Sequence, residues 1–481
     1  MRAMNKAGVL PMAADTPQTR SEGRWIALAF VIGMATDVVS IAIGNPYIVS
    51  GLVLVTCVLA TALRGEHPRP WIFLATILAA NPVNLNAPVA CNLIFAICLL
   101  IIGMKHLRGL PKWVYLVNCL AVVAITLSSL NWLFSDGPIP FKTQIGAYIN
   151  YLLGPFLLLP VIYSGLGREK NSRANFTGFL YFIVVPSTFL FFLAYAFGTP
   201  VAGQGGLVQT TTNLTVFKLG NTFFYLIRTQ SGFVIASLIC GAVAALVSPV
   251  GLRNKVLAAC CLAFNAYLLL VSGSVSSALA AMCGVAAIFL ASMFRVHVAK
   301  YLLVIMVACG LLFAVWNFTD TGIKKYVTKR YEERFTKKGI NATDRLLIWK
   351  LALGYMESHP EGVGWSLFID EIRTYPHNDY FTYAIAYSLL GGVLYFYVII
   401  RIGRSLFRRP RDHAENPYEL AVRIAGLGIF VVILLNSATD HLTANRWYFN
   451  VAWSMLWFAF FSTRAVSARR AIAGVQLSGA K

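Results

Sequence analysis

Long apolar segments constrain the fold of this chain more than any other feature. Along its 481 residues, about 14 segments of roughly 17–25 mostly apolar residues follow one another, each long enough to cross ~30 Å of hydrocarbon as a helix. Hydrophobic residues make up 58% of the chain and charged residues only 12%, which excludes an ordinary soluble protein. The sequence therefore predicts an all-α, polytopic transmembrane helical bundle of about 12–14 spans with one long, partly helical periplasmic loop.

The apolar pattern divides the chain into five parts. In chain order these are a cytoplasmic N-terminal tail (1–24), a transmembrane bundle of the first eleven spans with a periplasmic loop at 199–227 (25–317), a long periplasmic loop (318–378), the C-terminal transmembrane spans (379–463) and a cytoplasmic C-terminal tail (464–481). The first of the C-terminal spans is predicted near residues 379–400.

The distribution of positive charge predicts which side of the membrane each loop faces. Most of the 40 Lys and Arg residues fall in the two tails and in alternate short loops, whereas the other short loops carry one or none. Short cytoplasmic loops are enriched in Lys and Arg, and long loops contribute little to this rule. We therefore expect both termini in the cytoplasm. The net charge of +21 does not indicate a nucleic-acid partner, because the basic residues lie in short clusters between spans rather than on one aromatic-lined face.

The longest polar interval contains a stretch, residues 341–392, that combines a helix with ionisable side chains. A capping residue at Thr343 and a stop at Pro360 delimit the predicted helix. Arg345 and Trp349 are four residues apart and therefore share one face, beside the free amides of the first turn. A guanidinium next to such amides suits a pyrophosphate group. Alternatively, the aliphatic part of Arg345 covers an apolar surface.

His377 and Asn378 stand immediately before the next apolar segment. A histidine at such a position is more often a hydrogen-bonded interface residue than a base, but it can also accept a proton near neutral pH without a metal. His359 precedes Pro360 at the predicted helix end, where a cationic ring would favour the helix dipole, and we interpret it as structural.

Two further outward-facing segments carry ionisable residues. Arg228 begins an apolar span, and by position alone it is an interface anchor. Asp440, His441 and Arg446 lie in one short loop, in which Asp440 and His441 make a second possible acid–base pair. No pair of outward-facing carboxylates is placed to hold a divalent metal, and no cofactor fingerprint is present, so neither a metal nor a cofactor is predicted.

About fifty residues of the polar stretch resemble the O-antigen ligase and polymerase family, whose members move lipid-linked glycans on the outer face of the bacterial inner membrane. The resemblance rests on Arg345 and Trp349, on His359 and Pro360 with Gly362 and Gly364, on His377 and Asn378, and on a Leu-Leu-Gly-Gly turn at residues 389–392 inside the next span. The family usually has a glycine eleven residues after the histidine. Ser388 stands there, and we expect a small residue to suffice.

The resemblance implies an inner-membrane glycosyltransferase whose donor is a glycan on undecaprenyl pyrophosphate. It implies catalytic roles for His377 and Arg345, and substrate-binding roles for Arg228, Trp349, Asn378, Arg446 and Asp440. The acceptor is either another lipid-linked repeat, which makes the protein a polymerase, or a lipid A-core, which makes it a ligase; we favour the polymerase. A transporter or flippase for the same lipid-linked glycan is the rival class. The ionisable candidate residues argue against it, because they gather at one membrane face rather than along a path across the membrane.

Overall fold

The computed structural model describes the helical part of the chain with several gaps. The described residues are 17–43, 110–134, 159–168, 171–197, 199–200, 216–219, 222–225, 230–272, 274–292, 342–364, 376–408, 416–439 and 450–463, together with 45, 47, 51, 55, 72–74, 76–77, 97, 156, 310, 317, 325, 328 and 332.

Helices dominate these residues. In chain order they are α1 (Pro17–Ile43), α2 (Lys112–Phe134), α3 (Leu159–Tyr163), α4 (Ser172–Phe197, with a π-helical turn at Leu180–Val184), α5 (Gln230–Val247), α6 (Leu252–Ser272), α7 (Val275–Ser292), α8 (Ala342–Ser358), α9 (Asp379–Phe407), α10 (Pro417–Thr439) and α11 (450–463). Among the described residues, six helices are long and apolar enough to cross a membrane: α1 from Arg24, α2 to Leu130, α4, α7, α9 and α10. This confirms the predicted all-α polytopic bundle. The predicted spans near 47–63, 86–104 and 300–317 lie almost entirely outside the described residues.

A small antiparallel sheet lies within the predicted loop at 199–227. Its strands are β1 (Thr199–Pro200), β2 (Val216–Leu219) and β3 (Thr222–Tyr225), in the order β1-β2-β3. β2 and β3 pair in register from Val216 opposite Tyr225 to Leu219 opposite Thr222. The sequence analysis predicted no strand here.

The core of the bundle forms where α5 packs against α6, α7 and α10. Residues 231–245 of α5 are buried on every side of the helix. Small residues allow helices to approach closely in membrane proteins. A Cβ on Gly284 of α7 would lie 2.8 Å from the carbonyl oxygen of Gly428 in α10 and 2.7 Å from Sγ of Cys240 in α5. α7 and α10 therefore meet nearly backbone to backbone, with the Cys240 side chain of α5 packed against them.

The helix ends that the charge pattern places on one side of the membrane meet in the structure. At the end predicted to be periplasmic, Ser277 Oγ of α7 donates to Asn436 Oδ1 of α10 at 3.1 Å, and Asn378 Nδ2 donates to the carbonyl of Ala438 at 3.4 Å. At the opposite end, Ser172 Oγ of α4 donates to Glu419 Oε1 of α10 at 2.6 Å. The relative directions of these helices agree with the predicted alternation, whereas the side of the membrane stays a prediction.

α9 is not the single straight span predicted near residues 379–400, but a helical hairpin. Tyr387 (φ −126°, ψ 24°) and Ser388 (φ 79°, ψ 162°) have non-helical backbones and separate arm 1 (379–386) from arm 2 (389–407). The rings of Tyr383 and Tyr395 stack with centroids 4.3 Å apart. In a straight helix, twelve residues would rise about 18 Å.

Two glycines of arm 2 allow the arms of the hairpin to touch. A Cβ on Gly392 would lie 2.7 Å from Cβ of Ala384, and one on Gly391 would lie 3.0 Å from the carbonyl oxygen of Tyr383. The predicted Leu-Leu-Gly-Gly turn is therefore wrong in place, because the chain reverses just before it and residues 389–392 are helical.

Candidate active site

α8, the turn after it and the start of arm 1 form one packed unit, which we call the junction. It comprises α8, the turn at residues 359–364 and the hairpin from Pro376 to Leu389. A small apolar cluster of Ala352, Val363 and Ile385 joins its three parts, with Tyr355, Met356 and Phe381 around it. Buried apolar contact of this kind fixes α8 against the hairpin.

The turn after α8 fills the break in the hairpin. In an uninterrupted helix, the N–H of Leu389 would donate to the carbonyl of Ile385. In the structure, Leu389 N–H instead donates to Pro360 O and Val363 N–H donates to Ile385 O, both at 2.9 Å. The two groups that the reversal leaves without a helical partner are thus both satisfied by the turn, which explains why a polar break is tolerated there.

Gly362 makes this close fit possible. It has φ +80°, and a Cβ there would lie only 2.3 Å from the backbone nitrogen of Ser388. Any other residue at this position would need both an unfavourable backbone and a shift of the hairpin tip. The close approach of the turn to the hairpin therefore explains why the sequence motif has a glycine at position 362.

Ser388 adopts a backbone conformation that is essentially restricted to glycine. Its φ of 79° and ψ of 162° lie in a region that costs other residues about 1–3 kcal/mol. Its Oγ is buried and has no hydrogen-bond partner among the described residues. The expectation that a small residue suffices here stays a prediction, and the observed backbone is one that glycine adopts without strain.

His377 lies where α8 and arm 1 come together. Its backbone is left-handed, with φ +49°, which is uncommon for a residue other than glycine. The residue before it is held by α8, because Trp349 Nε1 donates to the carbonyl of Pro376 at 2.9 Å. The rings of Trp349 and Phe381 also pack in a T-shaped arrangement, with centroids 5.9 Å apart.

Asn378 caps arm 1. Its Oδ1 accepts from the N–H groups of Tyr380 and Phe381 at 2.9 and 3.3 Å, and its Nδ2 donates to Ala438 O at 3.4 Å. The residue is buried, with 7% of its surface exposed. A cap of this kind contributes about 1 kcal/mol to a helix. These contacts favour a structural role over the predicted contact with substrate.

Asp379 is a site residue that the sequence analysis missed. It is fully buried in the first turn of arm 1, where the helix dipole favours a carboxylate. The hydroxyl of Tyr395 donates to Asp379 Oδ2 at 3.4 Å and lies 2.7 Å from Ser437 Oγ. This network connects arm 1 to arm 2 and to α10. The signal in the sequence was an acid directly after His377 and Asn378.

Arg345 lies on the same face of α8 as Trp349, one turn or about 6 Å earlier along the helix axis. Its side chain is partly exposed. α8 and arm 1 run in the same direction, because Trp349 lies beside Phe381 and Ala352 beside Ile385. The N-terminal turns of both helices therefore point to one side, where their dipoles favour an anion.

The structure thus brings Arg345, Trp349, His377 and Asn378 into one unit. Arg228, Asp440, His441 and Arg446 lie outside the described residues. His359 directly follows α8 at its far end, about 15 Å along the helix axis from Trp349. There its ring lies 4.8 Å from that of Tyr355 and its Nδ1 is 3.6 Å from Glu361 Oε1. The structural interpretation of His359 stays a prediction.

Metal binding is not tested by the fold. Within the described ranges, no group of three or more His, Cys, Asp or Glu side chains is placed to hold a metal ion. The prediction of a metal-independent site therefore still depends on experiment.

The fold and this site define a multi-pass helical membrane protein whose candidate site lies on a helix and turn between membrane-spanning segments. Residues 257–396 match the O-antigen ligase family model (Wzy_C), which confirms the resemblance carried by the polar stretch. The match covers the junction, including Arg345 and His377, and it ends at Phe396 in arm 2. No curated protein matches the chain. The match supports an O-antigen ligase or polymerase type of function in general, performed by an enzyme that transfers lipid-linked glycans.

Proposed function

We propose that this protein is a metal-independent glycosyltransferase of the bacterial inner membrane, and that it works at the periplasmic face as a surface-polysaccharide polymerase. Its donor is a glycan on undecaprenyl pyrophosphate, and its acceptor is a second glycan. The observation that carries the proposal is the junction, in which a guanidinium on α8 and a histidine at the start of arm 1 belong to one packed unit within the family match.

In the proposed reaction, an acceptor sugar hydroxyl attacks the anomeric carbon of the donor. A new carbon–oxygen bond forms as the bond to the pyrophosphate oxygen breaks. His377 accepts the hydroxyl proton, and the lipid pyrophosphate leaves with the bonding electron pair. Negative charge therefore grows on the leaving group while positive charge grows on the histidine.

Arg345 stabilises the leaving pyrophosphate in this scheme. Its planar guanidinium can donate two parallel hydrogen bonds to phosphate oxygens. The N-terminal amides of α8 and arm 1 add partial positive charge on the same side. Arg228 is proposed as a second cation for the pyrophosphate, and Asp440 and Arg446 as contacts to the glycans. Arg228 and Asp440 adjoin the described helix ends at Gln230 of α5 and Thr439 of α10. Close to these ends, Asn378 donates to the carbonyl of Ala438 in α10.

The substrate contacts predicted for Trp349 and Asn378 are not carried into this proposal. The described polar contacts of both side chains go to the backbone of the protein itself. Apolar spans hold the polyprenyl chain, and the sugars occupy the polar side of the junction.

A ligase that transfers the glycan to a lipid A-core is the alternative. The match to the O-antigen ligase family is compatible with both reactions and does not distinguish them. The two reactions share donor, leaving group and catalytic residues. They differ only in which acceptor binds at the periplasmic face of the protein.

The test is a transfer assay with the purified protein and a labelled undecaprenyl-pyrophosphate glycan, in the presence of EDTA. Separate reactions offer a second lipid-linked repeat or a lipid A-core as acceptor. We expect longer lipid-linked glycans in the first reaction, whereas product only in the second identifies a ligase. Movement of the lipid across vesicles without bond formation would make the protein a transporter. Loss of transfer in EDTA that added Mg²⁺ restores would overturn metal independence.

A further inference from the structure

The backbone of His377 is fixed by its neighbours on both sides. Pro376 has a fixed φ and its carbonyl accepts the indole N–H of Trp349 at 2.9 Å. Asn378 caps arm 1 and also bonds to α10. Between these two anchors, His377 adopts a left-handed conformation that a chain keeps only when its surroundings impose it.

From this arrangement we infer that Trp349 is a positioning residue for His377, and that it contributes to the proposed reaction through the backbone rather than through contact with sugar. The inference rests on the proposed role of His377 as the acceptor base. Its direct support is that the indole N–H, the one polar group of this side chain, already has a protein partner. The ring likewise packs against Phe381 in a T-shaped arrangement.

This role connects the two proposed catalytic residues mechanically. Arg345 lies one turn from Trp349 on the same face of α8, so the helix that carries the cation also holds the residue next to the base. The hydrogen bond from Trp349 to Pro376, together with the apolar cluster that joins α8 to the hairpin, then holds the base relative to the helix that carries Arg345. Displacing a reacting group by about 1 Å costs enzymes on the order of 10²-fold in rate.

The first variant is Trp349→Phe, which keeps an aromatic ring at this position but removes the N–H donor together with the second ring of the indole. We expect kcat to fall by about 10–100-fold, with KM for donor and acceptor changed less than about threefold, because neither substrate loses a contact. Trp25→Phe is the matched control. Trp25 lies in α1 with 45% of its surface exposed, and this variant keeps the wild-type kcat.

A double-mutant cycle separates positioning from other roles. If Trp349 acts through His377, Trp349→Phe has no further effect on transfer once His377→Ala is present. The inference is overturned if the losses of rate from the two single variants multiply in the double variant. It is also overturned if Trp349→Phe keeps the wild-type rate, or raises KM while kcat stays normal. Full activity of His377→Ala is a different result: it removes the proposed role of the histidine itself, and the positioning role with it.

A second form of the experiment covers the case in which the phenylalanine variant does not fold. A benzothienylalanine at position 349 has nearly the shape of tryptophan but carries sulfur in place of the N–H. It should reproduce the loss of kcat in a monodisperse protein. It should also speed hydrogen–deuterium exchange of the amides at residues 377–381, and unchanged rate and exchange would contradict the inference.

Discussion

The bundle core and the junction both depend on glycine, but for different physical reasons. In the core, Gly284 and Gly428 have ordinary helical backbones. Because they lack Cβ atoms, the backbones of α7 and α10 can come into contact. In the junction, Gly362 and Gly364 have φ values of +80° and +78°, which other residues rarely adopt. The first use of glycine is about space and the second is about conformation.

Backbone strain shows the same division. Among the described residues, the only non-glycine residues with positive φ are His377 and Ser388, and both lie in the junction. Strained backbones persist where the surrounding structure over-determines them, and they concentrate at functional sites. The packed helices α5, α7 and α10 provide that support through the contacts of α10 with Asn378 and Tyr395.

Among the variants that compare the core with the junction, the largest effect is expected for Gly362→Ala. An alanine at this position must adopt the unfavourable φ of +80°. Its Cβ would lie 2.3 Å from the backbone nitrogen of Ser388, so the turn and the hairpin tip must move apart. We expect a loss of stability of about 2–5 kcal/mol and at least about 100-fold lower transfer. The measurements are thermal unfolding in detergent and the transfer rate of the folded fraction. Wild-type transfer would show that the fit between turn and hairpin is not needed for activity.

Gly284→Ala makes the same chemical change in the core and should behave differently. The added methyl group meets Cys240 and the backbone of Gly428, so overpacking should cost about 1–3 kcal/mol. Below the melting temperature, transfer per folded molecule should stay close to the wild-type rate, since the junction is unchanged. A drop in kcat as large as that of Gly362→Ala would remove the distinction between the two regions.

The smallest expected effect is a gain in stability for Ser388→Gly. Glycine accepts the observed φ and ψ without strain and removes a buried hydroxyl, while it adds freedom to the unfolded chain. We expect a net stabilisation of about 0.5–2 kcal/mol and unchanged transfer. Ser388→Ala is the control: it removes the hydroxyl but keeps the strained backbone, so it should gain less. Equal stabilisation by both variants would assign the cost to the hydroxyl alone.

The fold class was readable from the sequence because a bilayer requires apolar segments of one length. The hairpin was not readable. Its break lies at Tyr387 and Ser388, inside a continuously apolar segment without proline, and the partner that stabilises it, the turn at Pro360–Val363, is more than twenty residues away. Local sequence patterns carry no information on such a pairing.

The candidate site was predicted in part. The spacing of Arg345 and Trp349 on one helix face follows from helical periodicity and holds in the structure. The partners of Trp349 and Asn378 do not follow, because Pro376 is 27 residues from one and Ala438 is 60 residues from the other. Sequence reasoning therefore located these side chains but not their protein partners, and their predicted contacts with substrate stay a prediction.

The rate of glycan transfer by folded Arg345 and His377 variants tests the central claim most directly. His377→Ala should lower turnover by about 10²–10⁴-fold while donor binding is nearly unchanged, since the histidine meets the acceptor. Arg345→Lys should fail nearly as badly as Arg345→Ala, because an ammonium keeps the charge but loses the planar pair of donors. Full activity of His377→Ala, or normal transfer by Arg345→Lys beside an inactive Arg345→Ala, would contradict the account of the junction as the site of transfer.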